Sequence, residues 1–157
     1  MANGQGQESV EPTIGLDRVR SALAIQWLVA SAIIMLLLVL QSLLGRYGTH
    51  VQDAWSWILP NLMPTLGMML TVLGYTALDP SSLKSVVRRT FFRIAYCLSI
   101  LYFVLILLTI LIQPVVAADS EKAIELMRTS NLWLGPLQGL VVSALGVLFV
   151  SKKPVTR

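Results

Sequence analysis

Four long apolar runs, separated by short polar stretches, set the reading of this chain. Residues 21–45, 54–78, 94–116 and 131–150 contain no Asp, Glu, Lys, Arg or His. Each holds about 20 residues or more, enough to cross a ~30 Å hydrocarbon core as an α-helix rising 1.5 Å per residue. A secretory signal has a shorter apolar core and a small-residue cleavage site. The first run ends Leu43-Leu44-Gly45-Arg46 without such a site, which predicts a retained helix. The pattern therefore predicts an all-α integral membrane protein, a four-transmembrane-helix bundle over 18–151. Residues 1–17, rich in Gly, Gln and Glu, read as a flexible tail, and 152–157 as a basic tail.

Punctuation between the runs predicts finer detail. Trp55 and Trp57 open the second run, where indole rings favour the headgroup level. Pro60 then fits a first helical turn, whereas Pro64 falls where it should kink the helix. Asp79-Pro80 looks like the start of a new helix. Leu83, Val86, Val87 and Phe91 share one side of it at helical spacing, as an interfacial segment leading into the third span would. Gln113-Pro114 marks the end of that span. Residues 119–128 read as a separate short surface helix capped by Asp119 or Ser120. The fourth span opens near Trp133 and Pro136 and stops at Lys152-Lys153-Pro154.

Composition agrees with lipid as the solvent. Only 13% of the 157 residues are charged, 55% are hydrophobic and mean hydropathy is +0.73, against about 25% charged in a soluble domain. The net charge of +4 sits in short blocks beside the apolar runs. With no interleaved aromatic platform, those blocks suit anionic lipid headgroups rather than nucleic acid.

Charge also sets orientation. Arg18, Arg20, Lys84, Arg88, Arg89, Arg93, Lys152, Lys153 and Arg157 lie on one side of the proposed threading, against Arg46, Lys122 and Arg128 on the other. Positive residues favour the cytoplasm, so both termini and the basic loop Lys84–Arg93 are expected there, in a bacterial inner membrane or equivalent plasma membrane. That loop reads first as a topology signal, with partner or lipid docking as the sharper alternative.

The halves resemble one another. Arg20 and Arg93 begin the two hairpins, Gln41 and Gln113 end their first helices, and Trp57–Pro60 and Trp133–Pro136 open their second. Either two repeated helical hairpins or the shared composition of membrane helices explains this.

Three constellations are candidates for function. Gly135, Gly139, Ser143 and Gly146 form a small-residue stripe on the fourth helix, with a weaker one, Gly67, Thr71 and Gly74, on the second. Such stripes allow close helix contact. The plainer expectation is that the two helices meet each other through them within the chain; self-association is the alternative. Gln41, Asn61, Gln113 and Gln138 gather near the outer ends of the spans, at the level of Pro60, Pro64, Pro114 and Pro136. Prolines free carbonyls that amide side chains can satisfy, giving a structural clasp; the functional alternative is a water-accessible vestibule. Cys97, the single cysteine, reads as a buried inert thiol, and His50 as a solvated loop residue outside any metal site.

Ionisable groups within spans carry proton and ion coupling, and catalytic membrane enzymes need a nucleophile with a base or clustered ligands. The runs contain neither, so no enzyme and no cofactor are expected. The leading expectation is an accessory or partner-dependent membrane component. An oligomeric pore or membrane-permeabilising effector is the alternative, and a carrier of a lipid or neutral small molecule the weaker one. The expected partners are membrane lipids, a second copy, or another membrane or cytosolic protein.

Overall fold

The computed structural model describes residues 13–78, 86–117 and 119–150. The elements run β1 (Thr13–Gly15), α1 (Leu16–Leu43), a single 3-10 turn (Gly48–His50), α2 (Val51–Leu78), β2 (Val86–Arg88), α3 (Arg89–Val116) and α4 (Ser120–Val150). All four long helices are apolar enough to span a bilayer, and they form a helical bundle. The chain is a multi-pass membrane protein by the length and composition of these helices. Helix α1 packs on α2, α3 and α4, and α4 also packs on α2 and α3.

The helices are longer than the uncharged runs. Helix α1 begins five residues before Ser21 and carries Asp17, Arg18 and Arg20. Thr13–Gly15, assigned above to the tail, is an ordered strand. It pairs antiparallel with Val86–Arg88, with Ile14 opposite Val87 at the centre. Val86 and Val87 are therefore extended rather than helical, and α3 starts at Arg89. Their β-branched side chains suit a pleat better than a helix, and the pairing satisfies their backbone. Lys84, Asp79-Pro80 and Leu83 lie outside the described residues, as do Lys152, Lys153, Arg157 and most of the N-terminal tail.

The separate surface helix at 119–128 does not exist as such. One continuous helix of 31 residues runs from Ser120 to Val150. Its start is capped by Asp119, whose Oδ1 accepts the Lys122 backbone N–H at 2.9 Å. Pro60, Pro114 and Pro136 likewise sit inside helices rather than at their boundaries.

Every helix contributes to one buried cluster. Its centre is aromatic: Trp27 of α1 stacks on Tyr102 at 5.9 Å and meets the edge of Phe103 at 4.6 Å, both on α3. The Trp27 indole N–H donates to Ser99 Oγ at 3.1 Å. Trp57 is buried between helices and donates to Ser130 Oγ at 3.2 Å, joining α2 to α4. Leu23, Leu38, Ile58, Leu62, Ile106 and Leu134 are wholly buried around these rings. In lipid such dense contact, rather than exclusion of water, holds helices together.

Burial recurs along the chain. Leu23, Trp27, Ser31, Ile34 and Leu38 are buried on α1, and so are Ala95, Ser99, Phe103, Ile106 and Ile110 on α3, each 72 residues on. On α2 and α4, Pro64-x2-Gly67-x3-Thr71-x2-Gly74 recurs at the same interval as Pro136-x2-Gly139-x3-Ser143-x2-Gly146. At this interval Pro136 corresponds to Pro64, whereas the Trp57–Pro60 and Trp133–Pro136 match is spaced by 76 residues.

Candidate functional site

At the end of the bundle holding the 3-10 turn, the four amides divide into two groups. The first group joins α1 to the end of α3. Pro114 has no N–H to give the Ile110 carbonyl four residues back, and Gln41 Nε2 reaches that oxygen at 3.5 Å. The Tyr47 hydroxyl donates to Gln41 Oε1. Burial raises the Tyr47 pKa to about 12, opposed by the nearby Arg46 charge, so the hydroxyl stays a donor across the physiological range. Arg46 Nη2 donates to the carbonyls of Gln113 at 2.6 Å and Ala117 at 2.9 Å. A cation there satisfies the orphan carbonyls and the negative pole at the end of α3. Gln113 is fully buried, yet both polar atoms of its side chain, like Arg46 Nε, lack a protein partner.

The second group lies between α2, α3 and α4. Pro64 frees the carbonyl of Pro60, and Gln138 Nε2 of α4 donates to it at 3.0 Å. The same amide approaches the Asn61 carbonyl at 3.4 Å. Asn61 Nδ2 donates to the Trp57 carbonyl at 2.7 Å, and the Tyr102 hydroxyl donates to Asn61 Oδ1 at 3.0 Å. Pro64 and Pro114 are thereby answered by an amide from another helix. Nearby, Asp53 accepts from Arg128 Nη2 at 3.2 Å and contacts His50 Nδ1 at 3.2 Å, tying the start of α2 to α4.

At the opposite end, marked by the β1–β2 ribbon, Arg18, Arg88, Arg89 and Arg93 are exposed. Arg20 is not among them. It is buried, donating from Nε to the Leu148 carbonyl at 2.9 Å and from Nη2 to that of Phe149 at 3.0 Å. The sequence marked Arg20 only as a flanking charge and as the counterpart of Arg93; its role in capping α4 needs the neighbouring helix to be seen. Arg46, Tyr47, Trp27 and Tyr102 were also passed over. A tryptophan well inside an apolar run, with an N–H requiring a partner, was the available signal for the last pair.

Both small-residue stripes face away from the bundle. Gly67, Thr71, Gly74, Gly135, Gly139 and Ser143 are exposed and Gly146 partly so. A Cβ added at any of these glycines meets nothing within 4 Å. The expectation that α2 and α4 meet through them within the chain is overturned: the two helices pack through other faces, tied by Trp57–Ser130 and Gln138–Pro60. Thr71 and Ser143 donate back to the Gly67 and Gly139 carbonyls at 2.8 and 2.7 Å, so each hydroxyl proton is already engaged within its own helix. Cys97, expected to be buried, is exposed on α3. Among the described residues, no three His, Cys, Asp or Glu side chains are grouped to hold a metal. Compared with known proteins, the chain matches no family model, no curated sequence and no solved structure.

Proposed function

We propose that this chain is a non-catalytic membrane component that works by docking to a partner, with both termini and the basic ribbon end in the cytoplasm, in a bacterial inner membrane or equivalent plasma membrane. One observation carries the reading. Gln41, Asn61 and Gln138 are engaged in hydrogen bonds between helices rather than left open to line a vestibule, and all four helices contribute buried side chains to one cluster. Exposed arginines, among them Arg18, Arg89 and Arg93, stand at the ribbon end, which positive-inside bias assigns to the cytoplasm, and offer a cationic surface to a partner there.

The proposal includes a duplication. Equal helices α1 and α3, each entered from a three-residue strand, and the 72-residue recurrence of burial and of the P-x2-G-x3-[ST]-x2-G pattern support two hairpins in parallel repeat. The antiparallel pairing of the equivalent strands around Ile14 and Val87 fits an axis along the membrane normal.

The outward stripes favour a second reading, self-association of copies into an oligomeric pore. Dye release from liposomes containing the purified protein separates the two. Docking predicts vesicles as tight as empty ones, and steady release at low protein-to-lipid ratio would contradict it.

A further inference from the structure

Helices α1 and α3 part to leave an apolar groove of about 220 Å³. Ala30, Ile33 and Ile34 face Ile100, Val104 and Leu107 across it, over buried Phe103. Ile33, Ile100 and Val104 are 51%, 41% and 51% exposed, so the groove opens sideways to the bilayer. From residue 26 to residue 34 it runs about 12 Å at helical rise, comparable with the ~15 Å depth of one hydrocarbon leaflet.

Polar chemistry lies at and below its ribbon end. Gln26 lines the groove there, and neither Nε2 nor Oε1 has a hydrogen-bond partner although both are shut off from the surface. An unbonded amide in hydrocarbon is costly and calls for a polar group within reach. Further along α3 toward the ribbon stand Arg93 and Arg89. The intervals from Arg89 through Arg93, Ile100 and Val104 to Leu107 are four, seven, four and three residues, which keeps all five on one face of the helix. Both arginines are exposed. The start of α3 has no acidic residue in its first turn and no side-chain cap, so its positive pole adds to their charge.

We propose that this groove binds an anionic phospholipid from the leaflet at the ribbon end. Its acyl chain lies between α1 and α3 and its phosphate meets Arg89 and Arg93; the Gln26 amide, enclosed in this structure, turns into the groove so that Nε2 donates to a glycerol-ester carbonyl. The order of chemistries along α3, cation then apolar wall, with the amide of α1 at the join, matches the order along the lipid. This inference rests on the bundle crossing a membrane with its ribbon end in the headgroup layer; it does not depend on which side of the cell that is.

The test uses the full chain in vesicles whose two leaflets share one composition, which removes any dependence on orientation. Phosphatidylglycerol or phosphatidylcholine carrying a photoactivatable group on the acyl chain is cross-linked and the labelled residues are mapped. Labelling by phosphatidylglycerol should concentrate at residues 26–34 and 100–107 and exceed that by phosphatidylcholine. Each of Arg89→Gln and Arg93→Gln should lower the preference by about five-fold, the order expected for one cation near an anionic surface. Gln26→Leu should weaken labelling by both lipids while the vesicles still contain folded protein. Equal labelling by the two lipids, spread over all lipid-facing residues, would mean an ordinary lipid annulus and overturn the proposal. So would cross-linking between Cys97 of two copies with the groove unlabelled, which would place a second chain there. Failure of the docking reading would show instead as dye release, a separate measurement.

Discussion

Gln113 and Gln138 look interchangeable in the sequence, each a glutamine within two residues of a proline near one end of a span, yet their surroundings differ. Gln138 bonds a carbonyl that Pro64 leaves free, while the buried Gln113 amide bonds to no protein group. Hydrogen bonds between helices in lipid average about 0.6 kcal/mol and reach about 1.7. Gln138→Leu should therefore lower stability by about 1 kcal/mol in a detergent-unfolding titration, since it also strands the Pro60 carbonyl. Gln113→Leu should leave stability unchanged or raise it. Equal losses would show that Gln113 is engaged after all. The sequence disclosed the types and the depth of these residues. It could not disclose their surroundings, because Gln138 bonds a backbone carbonyl of another helix and Gln113 is enclosed by the bundle without a protein partner.

The helices themselves were legible as elements, because uninterrupted apolar length is a strong signal. Their extents were less so. Helix α4 passes through charged residues 121–128 without a break because that stretch still packs: Ala123, Ile124 and Met127 are buried. The ribbon was missed because a three-residue strand leaves almost no periodic trace, and Val86 and Val87 also fitted a helical face. Which side of each helix faces the bundle was the least legible property. In water a polar face marks the outside, whereas in lipid both faces are apolar and the contrast vanishes. That is why the glycine stripes were first placed inside. Their outward position yields a prediction at this scale. Gly139→Leu should fold normally, since its Cβ enters open space, and any oligomers seen by cross-linking in membranes should be lost with it. Oligomers that persist in Gly139→Leu would exclude this stripe as their contact.

Across the whole molecule, two arginines close the bundle from opposite ends. Arg20 caps the end of α4 near the ribbon, and Arg46 caps the end of α3 at the other surface. Trp27–Ser99 and Trp57–Ser130 bind the two hairpins to each other between them. Residues 72 and 73 apart in sequence thus meet across the interface between the hairpins, which is what the proposed duplication about a two-fold axis requires. This arrangement leaves a shared buried cluster, a basic ribbon end and an apolar perimeter, the features on which docking, lipid binding and self-association rest. All three depend on the threading. The most direct test places single cysteines at His50→Cys or Arg89→Cys in a Cys97→Ser background and labels sealed vesicles of known orientation with a membrane-impermeant maleimide. Four crossings with the ribbon in the cytoplasm predict that position 50 reacts only from the outside and position 89 only from the cytoplasmic side. Reaction of both positions from the same side would contradict it.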